Sequence, residues 1–531
     1  MRDNFSNSQI IRKPAVSSAG GIVAAQHIGA AQAGAAVLAA GGDCVDAAIA
    51  TSFALGVVEP WMSGLGGGGA MVLYRAREKR FEVIDFGMRA PGGLRTADFA
   101  LTGEGAASDL FPWPRVAGDR NLHGPASVAV PGVVAGMEAA HGRYARMPWR
   151  DLLAPAIALA ADGLLVDWFT TELVATGAPD LRRYAASSQR FLINGLPPVA
   201  MWGIRDQVRL PQPALRSTLA ALAECGARDF YEGDLARSMA ADMGRDGGYL
   251  SVADLAAYRA VVRNSLTIPY RGARVHATPE LSAGPTLAHT LRLLEVNPAL
   301  AAPGAAPDAA AYIAYAEALQ AAYRERLTGM GDADGRRALG AEHLAPACTS
   351  HFNVVDREGN MAAVTQTLLS IFGSKYTLPG SGILMNNGVM WFDPEAGGPN
   401  SLAPGRRCLT NYTPVIAEAA DGRMLAVGAS GGRRILPAVA QLLSFTLDYG
   451  MDLDTAFHTP RLDASEGATV IGDVRMAPEV RAALGSKFDY LEARVQTMPM
   501  KFACPSAVAR QGGINSGATE IAQPWADAVA A

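Results

Sequence analysis

The sequence predicts a layered protein of mixed α/β or α+β structure, because segments with helical and with strand patterns are mixed along the chain. Half of the 531 residues are hydrophobic and 18% are charged. This composition supplies a large buried core and excludes a chain that is mostly disordered. The length is compatible with three or four domains or with one large layered fold.

Caps and glycines mark the predicted elements. Gly41-Gly42 stops the first helix, Asp43 caps the second, and Asp308 caps the longest one. The predicted helices cover residues 28–40, 43–58, 149–163, 308–326 and 434–449, and the predicted strands cover 70–75, 81–86, 349–355, 361–368 and 423–429. Residues 328–337 are predicted to form a surface loop, and the tail from Gly512 onward to be weakly structured.

The charge pattern argues against nucleic-acid and membrane partners. Acidic residues outnumber basic ones by 50 to 46, and no basic block stands out. Residues 1–16 lack the apolar core of a signal peptide, and no apolar stretch is long enough to span a membrane. The five cysteines are too far apart for a CxxC or zinc-knuckle motif. We expect a cytoplasmic protein with free thiols.

Gly64–Gly69 fits the GxGxxG pattern of dinucleotide-binding loops. A Rossmann loop follows a strand and opens a helix, so that the pyrophosphate meets the helix N-terminus. Here the predicted order is reversed, with a helix before the glycines and a strand after them. We therefore expect a closely packed backbone turn at this position and no dinucleotide.

Gly428-Ala-Ser-Gly-Gly432 fits the GxSxG pattern of a serine nucleophile elbow, between a predicted strand and a predicted helix. A serine triad needs an acid and a histidine later in the chain, where His458 is the only histidine. Ser430 is therefore a minor alternative as nucleophile. The N–H groups of Gly431 and Gly432 suit an oxyanion hole, since they lie at a strand-to-helix junction.

Cys348-Thr349-Ser350-His351 places a small nucleophile at the start of a predicted strand, just after a loop. N-terminal nucleophile enzymes use this arrangement: the chain breaks before the threonine, and the new α-amine acts as the adjacent base. An α-amino group titrates near pH 8, at about 7.7–8.0, so much of it is neutral at working pH. The β-propensity of threonine offers a simpler explanation of the same residues.

The hairpin that follows gives a geometric check on Thr349. Residues 356–360 form a turn by composition, and symmetrical pairing about this turn sets Val355 opposite Met361. The same register sets Thr349 opposite Thr367. A second hydroxyl would then lie next to the nucleophile.

Several motifs together make the sequence recognisable. It resembles the γ-glutamyltranspeptidase (γ-glutamyltransferase) family of N-terminal nucleophile hydrolases over nearly the whole chain. The motifs are Gly41-Gly-Asp-Cys-Val-Asp-Ala-Ala48 (similar to GGNAVDAA), residues 59–69 (EPHSSGIGGG), residues 130–136 (the VPG segment), Thr349-Ser-His-Phe-Asn-Val-Val-Asp356 (TTHFSVVD), residues 380–387 and Gly431-Gly432.

The resemblance implies a four-layer αββα fold of the α+β class, made as a precursor that cleaves itself between Cys348 and Thr349. Residues 1–348 would form the large subunit, and residues 349–531 the small catalytic subunit. A dimer of these subunit pairs is compatible with the resemblance. The implied substrate is a small-molecule amide or peptide, and neither a metal nor an organic cofactor is implied.

The resemblance also assigns catalytic roles. Thr349 is the implied nucleophile, and its amine carries the proton. Thr367 is implied to be a positioning hydroxyl, and Gly431 and Gly432 to form the oxyanion hole. An acyl-threonine intermediate would pass its acyl group to water or to an amine.

Departures from the family pattern concentrate at the acyl pocket. The carboxylate-binding arginine of the family, in DFRETAP, falls on Gly87, and Arg89 lies two positions further on as a candidate replacement. Small or apolar residues replace polar anchors at Gly87, Leu369, Gly388 and Trp391. The candidate substrate-binding residues are Arg89, Thr410, Asn411 and Arg433. A site built from hydrogen bonds loses much of its discrimination when they are removed.

Three functions are compatible with the resemblance and with these departures from it. The first is an enzyme of the γ-glutamyltransferase or glutathione hydrolase type. The second is an acylase of the cephalosporin acylase type, with a different acyl group, and the third is a catalytically inactive binding homologue. We expect poor turnover of glutathione and γ-glutamyl anilides, and a preference for a larger or more apolar acyl group that lies against Leu369 and Trp391.

Overall fold

The computed structural model of the protein describes residues 10–106, 113–201, 203, 207–335, 347–494 and 502–531. Its helices are α1 (Ile28–Ala39), α2 (Cys44–Val58), α3 (Val133–Tyr144), α4 (Trp149–Asp162), α5 (Trp168–Leu181), α6 (Ala185–Phe191), α7 (Pro213–Cys225), α8 (Asp229–Glu232), α9 (Asp234–Arg245), α10 (Val252–Ala257), α11 (Gly284–Glu295), α12 (Ala309–Gly329), α13 (Ile435–Leu447), α14 (Leu453–His458) and α15 (Pro478–Lys487). Its strands are β1 (Val16–Ser18), β2 (Ile22–Ala25), β3 (Gly68–Arg75), β4 (Arg80–Phe86), β5 (Leu101–Ala106), β6 (Pro114–Val116), β7 (Leu164–Leu165), β8 (Arg209–Leu210), β9 (Val261–Asn264), β10 (Leu266–Tyr270), β11 (Ala273–Ala277), β12 (Ala347–Val355), β13 (Met361–Ser370), β14 (Val415–Glu418), β15 (Met424–Ser430), β16 (Leu462–Glu466), β17 (Thr469–Asp473), β18 (Asp489–Ala493), β19 (Cys504–Gln511), β20 (Ile514–Thr519) and β21 (Asp527–Ala530).

The predicted helix caps are present in the structure. The carboxylate of Asp43 accepts from the N–H of Val45 at 2.8 Å, and Asp46 accepts from the N–H of Asp43 at 2.9 Å. This reciprocal capping box fixes the start of α2. Asp308 caps α12 in a simpler way, by accepting from the N–H of Ala311 at 2.9 Å.

Two antiparallel seven-stranded sheets organise the described residues. The first has the order β1-β20-β19-β15-β14-β11-β10, and the second has the order β21-β2-β12-β13-β3-β4-β9. Strands β12 and β13 lie at the centre of the second sheet, and every residue of β13 is buried. Both strands contact β15 of the first sheet, and β12 also contacts β19. Strand β12, which carries the candidate nucleophile Thr349 near its start, therefore lies against the other sheet.

Helices pack on both sheets. Helices α1, α2 and α3 contact strands of the second sheet, whereas α11 and α13 contact strands of the first. A separate apolar cluster joins the two sheets and includes Val72 and Val355 from one and Ile416 and Val508 from the other. Because the central strands are buried on both faces, polar side chains on them such as His351 and Gln366 find hydrogen-bond partners inside the protein.

The glycine run before β3 is a close-packed turn, as its order in the sequence predicted. A Cβ at Gly67 would lie 2.4 Å from the carbonyl oxygen of Thr367, and one at Gly69 would lie 2.1 Å from that of Thr365. Glycine is needed here because the backbone of β13 approaches too closely for any side chain. The run therefore brings β3 against the strand that carries Thr367.

Two sequence predictions about loops were wrong. Thr328 and Gly329 belong to α12 instead of the predicted loop, of which residues 336–337 lie outside the described residues. The tail after Gly512 is also ordered, because β20 pairs with β1 and β19 while β21 pairs with β2. Strands β19 and β20 form a hairpin in which Gln511 pairs with Ile514 across Gly512-Gly513, a turn signal that the sequence analysis did not use. Strand β21 pairs with β2 near the start of the chain, which leaves no local signal.

Other features of the described residues bear on the predicted partners. No described helix combines the length and the apolar character needed to cross a bilayer. All five cysteines are free thiols, four of them buried and Cys225 exposed. Within the described ranges, no group of three or more His, Cys, Asp or Glu residues is arranged to hold a metal ion.

Candidate active site

The Thr349 side chain is buried near the start of β12, with 4% of its surface exposed. Its hydroxyl donates to the carbonyl oxygen of Cys348 at 2.6 Å and lies 3.3 Å from the hydroxyl oxygen of Thr367. The predicted meeting of the two threonine hydroxyls is therefore present. Cys348 packs its own side chain in an apolar cluster with Trp61 and Leu368.

The predicted hairpin register holds for most of its length and then shifts. Val355 pairs with Met361, and the same symmetry continues to Ser350 and Gln366. A bulge follows between Cys348 and Ser350, so that Cys348 pairs with Leu369 and Thr349 leaves the ladder. Leu369, which pairs with Cys348 beyond the bulge, has a φ of +89°, which is strained for a branched side chain. The bulge re-aims Thr349 at the start of the strand.

The carbonyl oxygen of Cys348 accepts hydrogen bonds from both threonine hydroxyls, those of Thr349 and Thr367. Thr367 is held in turn by the N–H of Leu369, which donates to its Oγ1 at 2.9 Å. If the Thr349 oxygen adds to the carbonyl carbon, the Thr367 hydroxyl remains as the donor that stabilises negative charge on the Cys348 oxygen.

His351 lies two residues after Thr349 but is not available as a base. Asn353 Nδ2 donates to His351 Nε2 at 2.9 Å, so the ring proton is on Nδ1, which contacts Thr365 Oγ1 at 2.8 Å. Burial lowers the pKa of His351 to about 3, and the ring is therefore neutral. Both ring nitrogens are committed to neighbours in the sheets.

A buried polar network holds the strand pair from behind. Ser350 Oγ donates to Glu59 Oε2 at 2.9 Å and accepts from Ser63 Oγ at 2.9 Å. Gln366 of β13 donates to Ser63 Oγ at 3.0 Å and to the carbonyl oxygen of Ser52 at 3.1 Å. Burial raises the pKa of Glu59 to about 8, although the bond from Ser350 opposes the shift. The carboxyl is therefore mostly protonated at neutral pH.

Gly431 and Gly432 form the turn between β15 and the helical segment that leads into α13. Their φ angles are +131° and +60°, and a Cβ at Gly431 would lie 3.0 Å from the Cα of Ala503. Neither glycine N–H donates to an acceptor within the described part of the chain. The turn contacts β12, the strand of Thr349. Two N–H groups next to that strand suit the predicted oxyanion hole.

Ser430 has the predicted strand-turn-helix context but lacks the partners of a serine nucleophile. Its Oγ accepts from Gln26 Nε2, while Gln26 Oε1 accepts from the N–H of His351 at 2.8 Å. His458 instead contacts the carbonyl oxygen of Asp454 at 2.7 Å through Nδ1. Among the described residues, no histidine contacts Ser430. Gln26, which the sequence analysis missed, links the two sheets behind the oxyanion turn.

A small cavity of about 30 Å³ is lined in part by residues of β3 and β4. Met88 links it to the threonine pair, because its Cγ lies 2.8 Å from the position of a Cβ at Gly68, and Gly68 pairs with Thr367. The cavity is lined by Gly87, Met88, Leu281, Ser282, Thr410 and Tyr412, among others. Its lining includes Gly87 and Thr410, two positions that the sequence analysis assigned to the acyl pocket.

Gly87 lines this cavity, and neighbouring side chains already occupy the space that a larger residue would need. A Cβ at Gly87 would lie 2.9 Å from the hydroxyl oxygen of Tyr412 and 3.1 Å from Asp85 Oδ1. Arg89 is exposed and is not among the residues that line the cavity. The backbone carbonyl of Arg89 accepts a hydrogen bond from the N–H of Val130 at 2.8 Å. Its proposed role in substrate binding stays a prediction.

The other predicted binding residues occupy two different places. Thr410 lines the cavity, and its hydroxyl donates to the carbonyl oxygen of Leu281 at 3.0 Å. The neighbouring Asn411 is buried, and its Oδ1 accepts from Arg326 at 3.0 Å. Arg433 is buried in the turn after the oxyanion glycines. The sequence analysis did not identify Arg326.

The predicted apolar replacements Leu369 and Trp391 do lie in one cluster, but this cluster is part of the packed core. Leu369 and Trp391 belong to one buried cluster with Met88 and Tyr412, and the rings of Trp391 and Tyr412 are 5.8 Å apart. Met88 and Tyr412 line the cavity, while Leu369 and Trp391 lie behind them. A Cβ at Gly388 would lie 3.3 Å from Met88 Sδ, which leaves little room for a side chain. The cavity wall is mixed, with Asp85, Arg407 and Thr410 beside apolar residues, and the predicted contact of an acyl group with Leu369 and Trp391 stays a prediction.

Comparison with known proteins agrees with this geometry. The γ-glutamyltranspeptidase family matches the chain over residues 30–347 and 337–529. The chain belongs to the γ-glutamyltranspeptidase family. This result confirms the family expected from the motifs, and it makes the chain an enzyme of the hydrolase or transferase type.

Individual relatives in the family carry different names. The chain is 34% identical to the acylase ACY 1 proenzyme of Pseudomonas sp. (strain V22) over 481 residues, which covers 85% of this chain and 83% of the relative. It is 31% identical to the glutathione hydrolase proenzyme of Escherichia coli (strain K12) over 484 residues, with 83% and 80% covered. The structure of cephalosporin acylase from Bacillus halodurans matches 100% of this chain and 99% of that chain with a TM-score of 0.85 and 24% identity. This last likeness confirms the mixed helix-and-sheet fold alone.

Proposed function

We propose that the chain cleaves itself between Cys348 and Thr349 and then uses Thr349 to transfer an acyl group from an amide to water or to an amine. One observation carries the proposal: the hydroxyl of Thr349 contacts the carbonyl oxygen of Cys348 at 2.6 Å, and Thr367 donates to the same oxygen. Processing would give a large subunit of residues 1–348 and a small one of residues 349–531.

The processing step begins with the Thr349 hydroxyl. Its oxygen adds to the carbonyl carbon of Cys348, the hydroxyl proton passes to the Thr349 nitrogen, and the bond from that carbon to this nitrogen breaks, so that the acyl group moves from nitrogen to oxygen. The Thr367 hydroxyl, which donates to the Cys348 oxygen, stabilises the negative charge of the intermediate. Water then hydrolyses the ester, which leaves a carboxylate on Cys348 and a free α-amine on Thr349.

The free amine is the base for turnover. It takes the proton from Thr349 Oγ as the oxygen attacks the substrate amide, and it returns that proton to the leaving amine. The N–H groups of Gly431 and Gly432 bind the oxyanion. Water or an amine acceptor then releases the acyl group from Thr349. This assignment is supported by His351, which is neutral and committed to Asn353.

The four-layer αββα arrangement belongs to the same proposal. It is supported by the contacts of β12 and β13 with β15, by the packing of α1 and α2 on one sheet, and by the packing of α11 and α13 on the other. A cytoplasmic location, a dimer of the subunit pairs and independence from metals and organic cofactors stay predictions.

The acyl group is proposed to differ from γ-glutamyl. Support comes from Gly87, where the family has its carboxylate-binding arginine and where Tyr412 now lies 2.9 Å from the Cβ position. A relative named as an acylase and one named as a glutathione hydrolase have similar identity to this chain, so γ-glutamyl is the second candidate. We expect poor turnover of glutathione and γ-glutamyl anilides relative to a typical member. We also expect better turnover of a larger or more apolar acyl group that lies against Leu369 and Trp391.

Processing is the first test. Intact mass spectrometry of purified protein should show fragments of residues 1–348 and 349–531, and Thr349→Ala should remain one chain without activity. Thr349→Ser keeps the hydroxyl and serves as the matched control, which should still be cleaved. A wild-type chain that stays whole and is nevertheless active would refute the mechanism.

A donor panel is the second test. The kcat/KM of processed protein is measured for γ-glutamyl p-nitroanilide and for p-nitroanilides of other acyl groups of matched length. The proposal expects γ-glutamyl to rank below at least one other acyl group. The highest kcat/KM for γ-glutamyl, at a micromolar KM, would instead establish the second candidate.

A further inference from the structure

A second cavity, of about 350 Å³, lies among the helices that pack around the second sheet. Its lining comes from the start of α1, the end of α2, the end of α4 and the start of α5, together with Trp525. It shares no lining residue with the small cavity at Gly87. Ligand pockets in proteins have volumes of about 300–1,000 Å³. The second cavity therefore has room for a small molecule, away from the predicted acyl pocket.

Three aromatic side chains line this cavity: Trp61, Phe169 and Trp525. The rings of Phe169 and Trp525 are stacked with their centroids 4.2 Å apart, and the ring of Trp61 meets Phe169 edge-on at 6.3 Å. Aromatic faces and edges pack well against a further ring. The lining therefore suits a ligand whose apolar part is a flat ring.

Polar atoms without partners line the same cavity. The indole N–H of Trp61 is buried and donates to no acceptor among the described residues. Burial lowers the pKa of His27 to about 4, and Nδ1 of the neutral ring accepts from the N–H of Gly29 at 3.1 Å, so the ring proton is on Nε2. This Nε2–H and Oε1 of Glu59 also lack hydrogen-bond partners in the described part of the chain. Because buried polar groups in native proteins are almost always satisfied, these atoms point to a ligand.

The charges of the lining favour an acceptor oxygen on that ligand over an ammonium group. Asp167 has both carboxylate oxygens committed, one to the N–H of Thr170 at 2.8 Å and the other to the indole N–H of Trp525. The carboxyl of Glu59 is mostly protonated at neutral pH, so it offers a donor in place of a negative charge. Arg209 is the one arginine or lysine in the lining. A carboxylate would find donors here, whereas a cation would find no uncommitted carboxylate among the lining residues.

The cavity is next to the catalytic strand but does not reach the nucleophile. Glu59 accepts from Ser350 at 2.9 Å, and Ser350 directly follows Thr349. The carbonyl oxygen of Trp61 accepts from the N–H of Phe372, just beyond β13, at 2.9 Å. Thr349 itself is not among the lining residues. A ligand in this cavity would therefore lie behind the catalytic strand and leave the acyl site free.

We propose that this cavity is a second ligand site, which binds a small aromatic carboxylic acid. Its ring would lie among Trp61, Phe169 and Trp525, and its carboxylate would accept from the unpartnered N–H groups of Trp61 and His27. The inference goes beyond the proposed acyl transfer and does not depend on it. Binding at this site should not compete with an amide donor, because the two would occupy different cavities.

The test measures binding to the purified full-length protein by isothermal titration calorimetry. Phenylacetate is the probe, and phenethylamine is the comparison, since it has the same ring and a similar length but carries a positive charge. Trp61→Phe keeps an aromatic ring and removes the N–H. His27→Asn keeps a capping acceptor for the N–H of Gly29 and removes the ring N–H. Trp168→Phe makes the tryptophan change at an exposed residue outside the lining and is the matched control.

We expect phenylacetate to bind the wild type at least about tenfold more tightly than phenethylamine, because only the carboxylate can accept from the free donors. Trp61→Phe and His27→Asn should each weaken the binding of phenylacetate roughly 10- to 100-fold, as expected for the loss of a hydrogen bond to a charged group. Trp168→Phe should change the Kd less than about threefold.

Three results would overturn the inference. The first is no measurable binding of phenylacetate, or equal binding of the two probes. The second is an unchanged Kd in folded Trp61→Phe and His27→Asn protein, and if Trp61→Phe does not fold, His27→Asn decides alone. The third comes from a kinetic assay of processed, active protein, in which phenylacetate should leave the KM of an amide donor unchanged. Competitive inhibition would instead place the acid in the acyl site.

Discussion

The catalytic end of the site and its acyl cavity are held by different means. At the catalytic end, Thr349, Thr367 and Gly431 are placed by strand register, a bulge and a glycine turn. At the cavity, the Thr410 hydroxyl is held by the carbonyl oxygen of Leu281, and a side chain at Gly87 would meet the hydroxyl of Tyr412. Backbone geometry tolerates sequence change elsewhere, whereas a side-chain contact is lost with one substitution. The chemistry can therefore be retained at about one-third identity to relatives while the acyl specificity changes.

The largest expected effect breaks the catalytic end. Thr367→Val removes the hydroxyl that donates to the Cys348 carbonyl and leaves the side-chain shape nearly unchanged. Losing one donor to a developing oxyanion slows a reaction roughly 10²- to 10³-fold, so self-cleavage should slow by that factor. The measurement is the half-time for the appearance of the two fragments at fixed temperature. Thr367→Ser keeps the donor and should cleave at near the wild-type rate, and valine doing the same would contradict the assigned role.

A second prediction tests the network behind the catalytic strand. Since the pKa of Glu59 is raised to about 8 by burial, the folded protein holds a proton that the unfolded chain releases above about pH 4.5. The stability of the wild type should therefore fall as pH rises from about 4.5 to 8, by up to about 4 kcal/mol from this group. Glu59→Gln cannot lose a proton and should lack this contribution.

The thermal unfolding midpoints of wild type and Glu59→Gln, measured between pH 5 and pH 8, check this prediction. The difference should grow in favour of glutamine as pH rises. Glu479→Gln, at an exposed position, is the control and should follow the wild type. A constant difference across the pH range would show that Glu59 does not retain its proton in the folded state.

A third prediction separates the backbone of the oxyanion turn from its neighbouring side chain. Ser430→Ala removes a bond to Gln26 but leaves the glycine N–H groups in place. We expect processed protein with a loss in kcat of roughly tenfold or less, which corresponds to about 1.4 kcal/mol. Gln26→Leu removes the same hydrogen bond through its other partner. We expect its free energy of unfolding to fall by about as much as that of Ser430→Ala. Complete inactivity of folded, processed Ser430→Ala would restore the serine nucleophile as an alternative.

The catalytic end was also the easier part to predict from sequence. Threonine spacing and a symmetrical turn predicted that Thr349 and Thr367 meet, since antiparallel register follows from the turn. The bulge between Cys348 and Ser350 was not predicted, because symmetrical pairing about the turn assumes a regular ladder to the end of the strand. The capping acids Asp43 and Asp308 were recognised because a cap acts within three residues of its own chain.

The contacts that sequence reasoning missed all join distant segments. Gln26 contacts a residue 404 positions away, and Glu59 contacts one 291 positions away. Arg326 contacts Asn411 across 85 positions. A single arginine near the end of an alanine-rich helix has the pattern of an ordinary surface charge, and only the tertiary packing shows that it is buried. Strand β21 was missed for a related reason, as its partner β2 lies near the start of the chain.

The smallest expected effect is that of replacing Arg89, which tests whether its charge contributes to substrate binding at the cavity. Its side chain is exposed, makes no hydrogen bond or ion pair with the described residues, and acts on the cavity only as a distant charge. Water and salt screen such a charge, with a Debye length of about 8 Å at physiological ionic strength. Arg89→Ala should therefore raise KM for carboxylate-bearing donors less than about threefold, leave kcat unchanged, and lose even this effect at high salt. A rise of tenfold or more that persists in high salt and is rescued by Arg89→Lys would show that Arg89 turns into the cavity when substrate binds. The carboxylate anchor of the family would then have moved by two residues along the chain.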